Sequence, residues 1–116
     1  MSPRLRSLLC LAGLAALAAL AVLAARAATP GAADTIRIDV DKLAFSPARV
    51  SAHVGDTVEW VNGDFLVHTA TARDKDWDVS IAAKGSARVT LQKPGEIDYY
   101  CRYHPNMVGH ISVEAR

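Results

Sequence analysis

The sequence holds two cysteines, and only Cys101 lies outside an apolar N-terminal stretch that contains Cys10. A disulfide inside the folded part is therefore excluded. The chain also has no run of Lys and Arg beyond its first segment, so the electrostatic footprint of a nucleic-acid binder is missing. After residue 34 nothing shows the 3.6-residue apolar spacing of an amphipathic helix. No internal repeat or second-domain boundary is evident. Asp74, Asp76 and Asp78 alternate as in a calcium loop, yet the glycine and distal glutamate of such a loop are absent.

Long apolar sequence is confined to the first segment. Arg4 and Arg6 precede a nearly unbroken Leu, Ala and Val run from Leu8 to Ala25, and Ala25-Arg26-Ala27 fits a small-x-small cleavage site. Residues 1–27 read as a signal-peptide helix removed on export. The competing reading is a retained anchor, because the run approaches membrane-spanning length. Cys10 follows Leu9 rather than a small residue, and a leucine splits the two arginines, so neither lipoprotein nor twin-arginine export fits. Cleavage near Ala27 leaves 89 residues, one small domain with no stable membrane association. It also leaves ten basic against twelve acidic residues, a net charge of about −2 with neutral histidines. Residues 28–34 are a small-residue lead-in and 35–116 the domain.

The domain alternates with period 2, the signature of half-buried strands. Strands are predicted over 35–40, 49–52, 57–62, 68–71, 77–79, 86–91, 96–101 and 110–114, with Gly55-Asp56, Asn62-Gly63-Asp64 and Lys93-Pro94-Gly95 as turns. Residues 41–47 read as a connection from which Phe45 turns inward. Seven to eight short strands at this spacing imply an all-β sandwich or barrel.

Cys101, His104 and Met107 then stand in a C-x2-H-x2-M cluster at the end of one strand, with His68 upstream. Pro105 stiffens this turn by fixing φ, and Gly109 is expected to permit the bend into the last strand. A lone thiol in an oxidising compartment is a liability unless buried or metal-bound. One thiolate, two imidazoles and one thioether form a donor set suited to copper cycling between two oxidation states, with the thioether as a weak axial partner. His53 and His110 read as bystanders.

The segments Gly55-Asp56-Thr57-Val58-Glu59-Trp60-Val61-Asn62 with His68, and Tyr99-Tyr100-Cys101-Arg102-Tyr103-His104-Pro105-Asn106-Met107-Val108-Gly109, resemble the cupredoxins, the small type 1 blue copper proteins. The two-residue gaps flanking His104 are similar to the loop of amicyanin, more so than to that of plastocyanin. The resemblance implies an antiparallel Greek-key β-sandwich with one copper ion per chain, held by His68, Cys101, His104 and Met107. It implies a periplasmic, monomeric, non-enzymatic one-electron carrier working between redox proteins such as a c-type cytochrome or a periplasmic dehydrogenase. One departure stands out: Thr69 occupies the place where the family usually has asparagine, which bears on redox potential more than on the metal.

Two other readings compete with the shuttle. A copper carrier or buffer would use the same soft donors to hand the ion to another exported protein. A cysteine hydrolase would use Cys101 as nucleophile with His68 or His104 as base, leaving Met107 unexplained. An apolar rim of Phe65, Leu66, Pro105, Met107 and Val108 is expected around the site, suited to brief docking.

Overall fold

The structure, a computed structural model, describes residues 32–116. The expected signal peptide over residues 1–27 and the first part of the lead-in lie outside the described residues. Nine strands follow in chain order: β1 (Thr35–Asp41), β2 (Ala44–Ser46), β3 (Arg49–His53), β4 (Thr57–Asn62), β5 (His68–Ala72), β6 (Asp78–Ile81), β7 (Ser86–Thr90), β8 (Gly95–Cys101) and β9 (His104–Glu114). They form two sheets, ordered β2-β1-β4-β7 and β3-β9-β8-β5-β6, with no helix among the described residues.

The period-2 pattern explains which faces meet. Ile38 and Val40 of β1, Val58 and Trp60 of β4, Ile97 and Tyr99 of β8, and Ile111 and Val113 of β9 are all buried, each two residues from the next along its strand. Burying such alternating faces against one another is the dominant favourable contribution to a sandwich of this size. At its centre four aromatic rings interlock. Tyr99 packs at 4.8 Å from Phe45 and 5.5 Å from Trp60, and Trp77 lies 5.3 Å from Trp60. The Trp60 indole N–H donates to the Tyr99 hydroxyl at 3.2 Å, which satisfies both buried polar atoms. Burial pushes the Tyr99 phenol up to about 12, against a smaller downward effect of the Trp60 N–H.

The expected sandwich is present, with three differences in detail. First, the sheets are mixed: β1 pairs parallel to β4 and β3 parallel to β9. Alternation identifies a strand but carries no information on its direction. Second, residues 41–47 are not a plain connection, because β1 and β2 form a hairpin through Lys42-Leu43, both at positive φ (53° and 60°). Such a turn normally uses Asn and Gly; here the Asp64 carboxylate, reaching across from another loop, accepts both turn N–H groups at 2.8 and 3.1 Å. Third, β9 starts at His104 instead of 110. Gly109 is therefore no bend but a mid-strand residue whose missing side chain makes room for Tyr99. A Cβ there would lie 2.3 Å from the Tyr99 ring.

Candidate metal centre

The strand order brings three ends of chain to one end of the five-stranded sheet. β5 runs antiparallel to β8, with Thr71 opposite Tyr100 and Ala72 opposite Tyr99, so the start of β5 lies beside the end of β8. His68 opens β5 and Cys101 closes β8. The two-residue link Arg102-Tyr103 turns the chain so that His104, first residue of β9, pairs directly with Cys101. The next pair is Tyr100 with Val108, so Pro105, Asn106 and Met107 are extra residues bulging from β9. The bulge returns Met107 to the interior, where it is 2% exposed. All four sequence-derived candidates thus belong to the same end of the sandwich.

Side-chain atoms confirm the convergence of three of them. One donor atom each from His68, Cys101 and His104 falls within 4.8 Å of the other two. Cys101 Sγ lies 3.7 Å from His68 Nδ1 and 3.8 Å from His104 Nδ1. Donors sharing one first-row ion, at about 2.0–2.3 Å each, can stand at most about 4.3 Å apart. Both sulfur–nitrogen separations meet that bound, and the soft thiolate with two imidazoles matches copper chemistry. The residues fit the ion.

Polar neighbours fix the state of each donor. Asp64 lies in the turn before β5, and its Oδ2 is 2.8 Å from His68 Nε2. Burial works to raise the Asp64 pKa, but the bond to His68 and the Leu43 and Lys42 N–H groups outweigh it and hold it at about 2. An ionised carboxylate only accepts, so His68 Nε2 carries a proton and donates to Asp64, which leaves Nδ1 as the ring nitrogen facing Cys101. Asn62 holds the turn, its Oδ1 accepting the Asp64 N–H at 2.8 Å and its Nδ2 donating to the carbonyls of Leu66, Ile81 and Ala82.

Cys101 is wholly buried. Burial pushes its thiol up, but the Thr69 N–H, the two imidazoles and the Tyr103 N–H more than reverse this and bring it to about 6. These donors favour the thiolate, the form that binds metal. The Thr69 N–H points at it from 3.4 Å.

Asp64 is the residue that sequence reading missed. Its only sequence signal was membership of an Asn-Gly-Asp turn, which says nothing about where the carboxylate aims. Asp64, His68 and Cys101 in line also give the connectivity of a cysteine hydrolase. The surroundings oppose that reading: the sulfur has no exposed surface, and the Thr69 N–H is spent on the sulfur itself instead of on an oxyanion position. The apolar rim is larger than expected and differs at one residue. Phe65 (84% exposed), Leu66, Val67, Tyr103, Val108 and Leu43 are open to solvent, whereas Met107 is buried and belongs to the interior.

Comparison with known proteins agrees with this geometry. Residues 13–113 match the family described as cupredoxin-like domain. The chain is similar to amicyanin of Paracoccus versutus, 29% identical over 94 residues that cover 76% of this chain and 71% of that protein. It is also similar to a plastocyanin of a Synechococcus species, 34% identical over 107 residues covering 74% of this chain and 78% of the relative. Among solved structures, the reduced Cu(I) form of an amicyanin mutant at pH 4 superposes with a TM-score of 0.61 at 27% identity, covering 69% of this chain and 82% of that one.

Proposed function

Because the chain belongs to the cupredoxin-like domain family, we propose that it is a periplasmic one-electron carrier, exported by a signal peptide cleaved near Ala27, with His68, Cys101, His104 and Met107 holding its copper. The cofactor is copper, one ion per chain, and when bound it supplies a Cu(II)/Cu(I) couple that exchanges one electron without a proton or bond change. The single observation that carries the reading is the convergence of His68 Nδ1 and His104 Nδ1 on the buried Cys101 sulfur.

The protein's part is to keep these side chains still. Asp64 holds the His68 ring through Nε2, the Thr69 N–H holds the Cys101 sulfur, and strand pairing holds His104 against Cys101. Donors locked before an electron arrives do not rearrange when it does, which keeps the barrier to exchange low. A carrier that hands copper on needs the opposite, a site that opens. His104 is half-buried at the surface end of the site, and the exposed apolar residues of the same end suit transient docking by another redox protein. A c-type cytochrome or a periplasmic dehydrogenase fits this role. A chain acting this way is a monomer and not an enzyme.

Repeated reduction and reoxidation of the copper-loaded protein in the presence of a Cu(I) chelator tests the proposal. A shuttle keeps its metal and recovers its full visible absorption through many cycles. Transfer of the ion to the chelator within the first cycles would support the carrier reading instead. N-terminal sequencing of the exported protein checks cleavage after Ala27.

A further inference from the structure

Thr69 does more than point its N–H at the sulfur. Its hydroxyl oxygen accepts the backbone N–H of Arg102, the residue after Cys101, at 2.8 Å. The same hydroxyl is 2.9 Å from the Thr71 hydroxyl, and the Thr71 hydroxyl donates to Asp78 Oδ1 at 2.8 Å. Arg102 Nε closes the circuit on that same Asp78 oxygen at 3.2 Å. Proton counting fixes the donor in every bond, with both arms starting at Arg102 and ending on Asp78. A carboxylate only accepts, so the Thr71 proton is committed to Asp78, and in the Thr69–Thr71 bond Thr69 must donate. Thr69 is then left with lone pairs for the Arg102 N–H. Each hydroxyl in such a chain is polarised by the next, and the charged end strengthens the whole.

We propose that Thr69, Thr71, Asp78 and Arg102 form a hydrogen-bond ring, with Arg102 donating into both arms and Asp78 accepting from both, that positions the Cys101 sulfur and thereby sets the reduction potential of the site. Thr71 and Asp78 are positioning residues, acting through Thr69. The inference rests on the electron-carrier reading for its effect on potential, but the ring itself is a property of the protein alone. Thr69 grips Cys101 from two sides, by its N–H on the sulfur and by its hydroxyl on the following peptide. Both threonines are buried, so neither bond is readily replaced by water. A hydrogen bond to the sulfur favours the reduced state, in which the sulfur carries more negative charge. Loosening the grip therefore lowers the potential.

Three variants test this: Thr69→Val, Thr69→Ser and Thr71→Val. Valine keeps the β-branched shape that suits a strand, and serine keeps the hydroxyl. In the metal-free protein, hydrogen exchange of the Arg102 amide is expected to quicken about tenfold in Thr69→Val and about threefold in Thr71→Val, and to stay near wild type in Thr69→Ser. In the copper-loaded protein the potential should fall in both valine variants, further for Thr69→Val, and recover in Thr69→Ser. Wild-type exchange and potential in Thr71→Val would overturn the ring, whatever Thr69→Val does. A wild-type protein that binds no copper would instead overturn the electron-carrier reading, and the exchange results on metal-free protein would still decide whether the ring exists.

Discussion

Asp64 Oδ2 stands 2.8 Å from His68 Nε2, while the same carboxylate takes the N–H groups of Lys42 and Leu43. One side chain thus ties the β1–β2 turn, held at positive φ, to the ring of His68. Replacing it separates the two roles from the rest of the fold. Asp64→Ala is expected to weaken copper binding 10- to 100-fold, roughly the usual effect of losing a histidine's outer partner. It should also cost the metal-free protein about 1–3 kcal/mol, because the buried His68 Nε2–H is left unsatisfied. Chelator competition and urea unfolding measure the two effects. Unchanged affinity would show that the carboxylate does not orient the ring.

Gly109 is the point of closest approach between β9 and the aromatic centre. A methyl group there would meet the Tyr99 ring at 2.3 Å, and that ring is fixed by Phe45, Trp60 and Trp77. Gly109→Ala is therefore expected to destabilise the protein by about 1–3 kcal/mol, the usual range for an overpacked core. The urea midpoint should fall, and near-ultraviolet circular dichroism should report a displaced tyrosine. A midpoint equal to wild type would mean that Tyr99 can swing aside without loss.

His110 stands apart from the His68, Cys101 and His104 cluster, but both of its ring nitrogens are bonded. Its Nδ1 meets Asp98 Oδ1 and its Nε2 meets Glu96 Oε1, both at 2.7 Å, across the β8–β9 pair. The bonds to Asp98 and Glu96 raise the imidazole pKa above 6.5, against smaller opposing effects of partial burial and the Arg49 charge. For Glu96 the Ser112 hydroxyl is the largest single cause of a lowered pKa, and for both carboxylates the pairing with His110 works in the same direction. A raised histidine stabilises fully below its unfolded pKa and loses that contribution as pH rises through the folded value. Depressed carboxylates stabilise above their unfolded values and lose it as pH falls. Stability from this trio should therefore peak between the ordinary carboxylate range and the ordinary imidazole value, and decline as pH rises through the raised one. Urea midpoints of wild type should decline from pH 6 to pH 9, and His110→Gln should flatten that decline. An equally steep decline in the variant would assign it to other groups.

What the sequence revealed, and what it hid, follows from the reach of each interaction. Cys101, His104 and Met107 are close in the chain, so their spacing alone announced a shared site, and the alternation of residues such as Ile36, Ile38 and Val40 announced the strands. The length of β9 was hidden because Pro105 and Gly109 look like loop residues. In the structure the first sits in a bulge and the second serves Tyr99, a residue ten positions away. Asp64 was hidden because a turn residue gives no sign of a distant partner. Thr69 drew notice as an unusual neighbour of His68, but its connection through Thr71 to Asp78 depends on pairing between β5 and β6, which no local pattern encodes.

The most direct test is the visible absorption and electron-paramagnetic-resonance spectrum of the Cu(II)-loaded protein beside its Cys101→Ser variant. The expected result is intense thiolate-to-copper absorption with the narrow copper hyperfine splitting of a covalent Cu–S bond, bleached on reduction and absent from the variant. A colourless Cu(II) protein, or a spectrum that the Cys101→Ser substitution leaves unchanged, would contradict it.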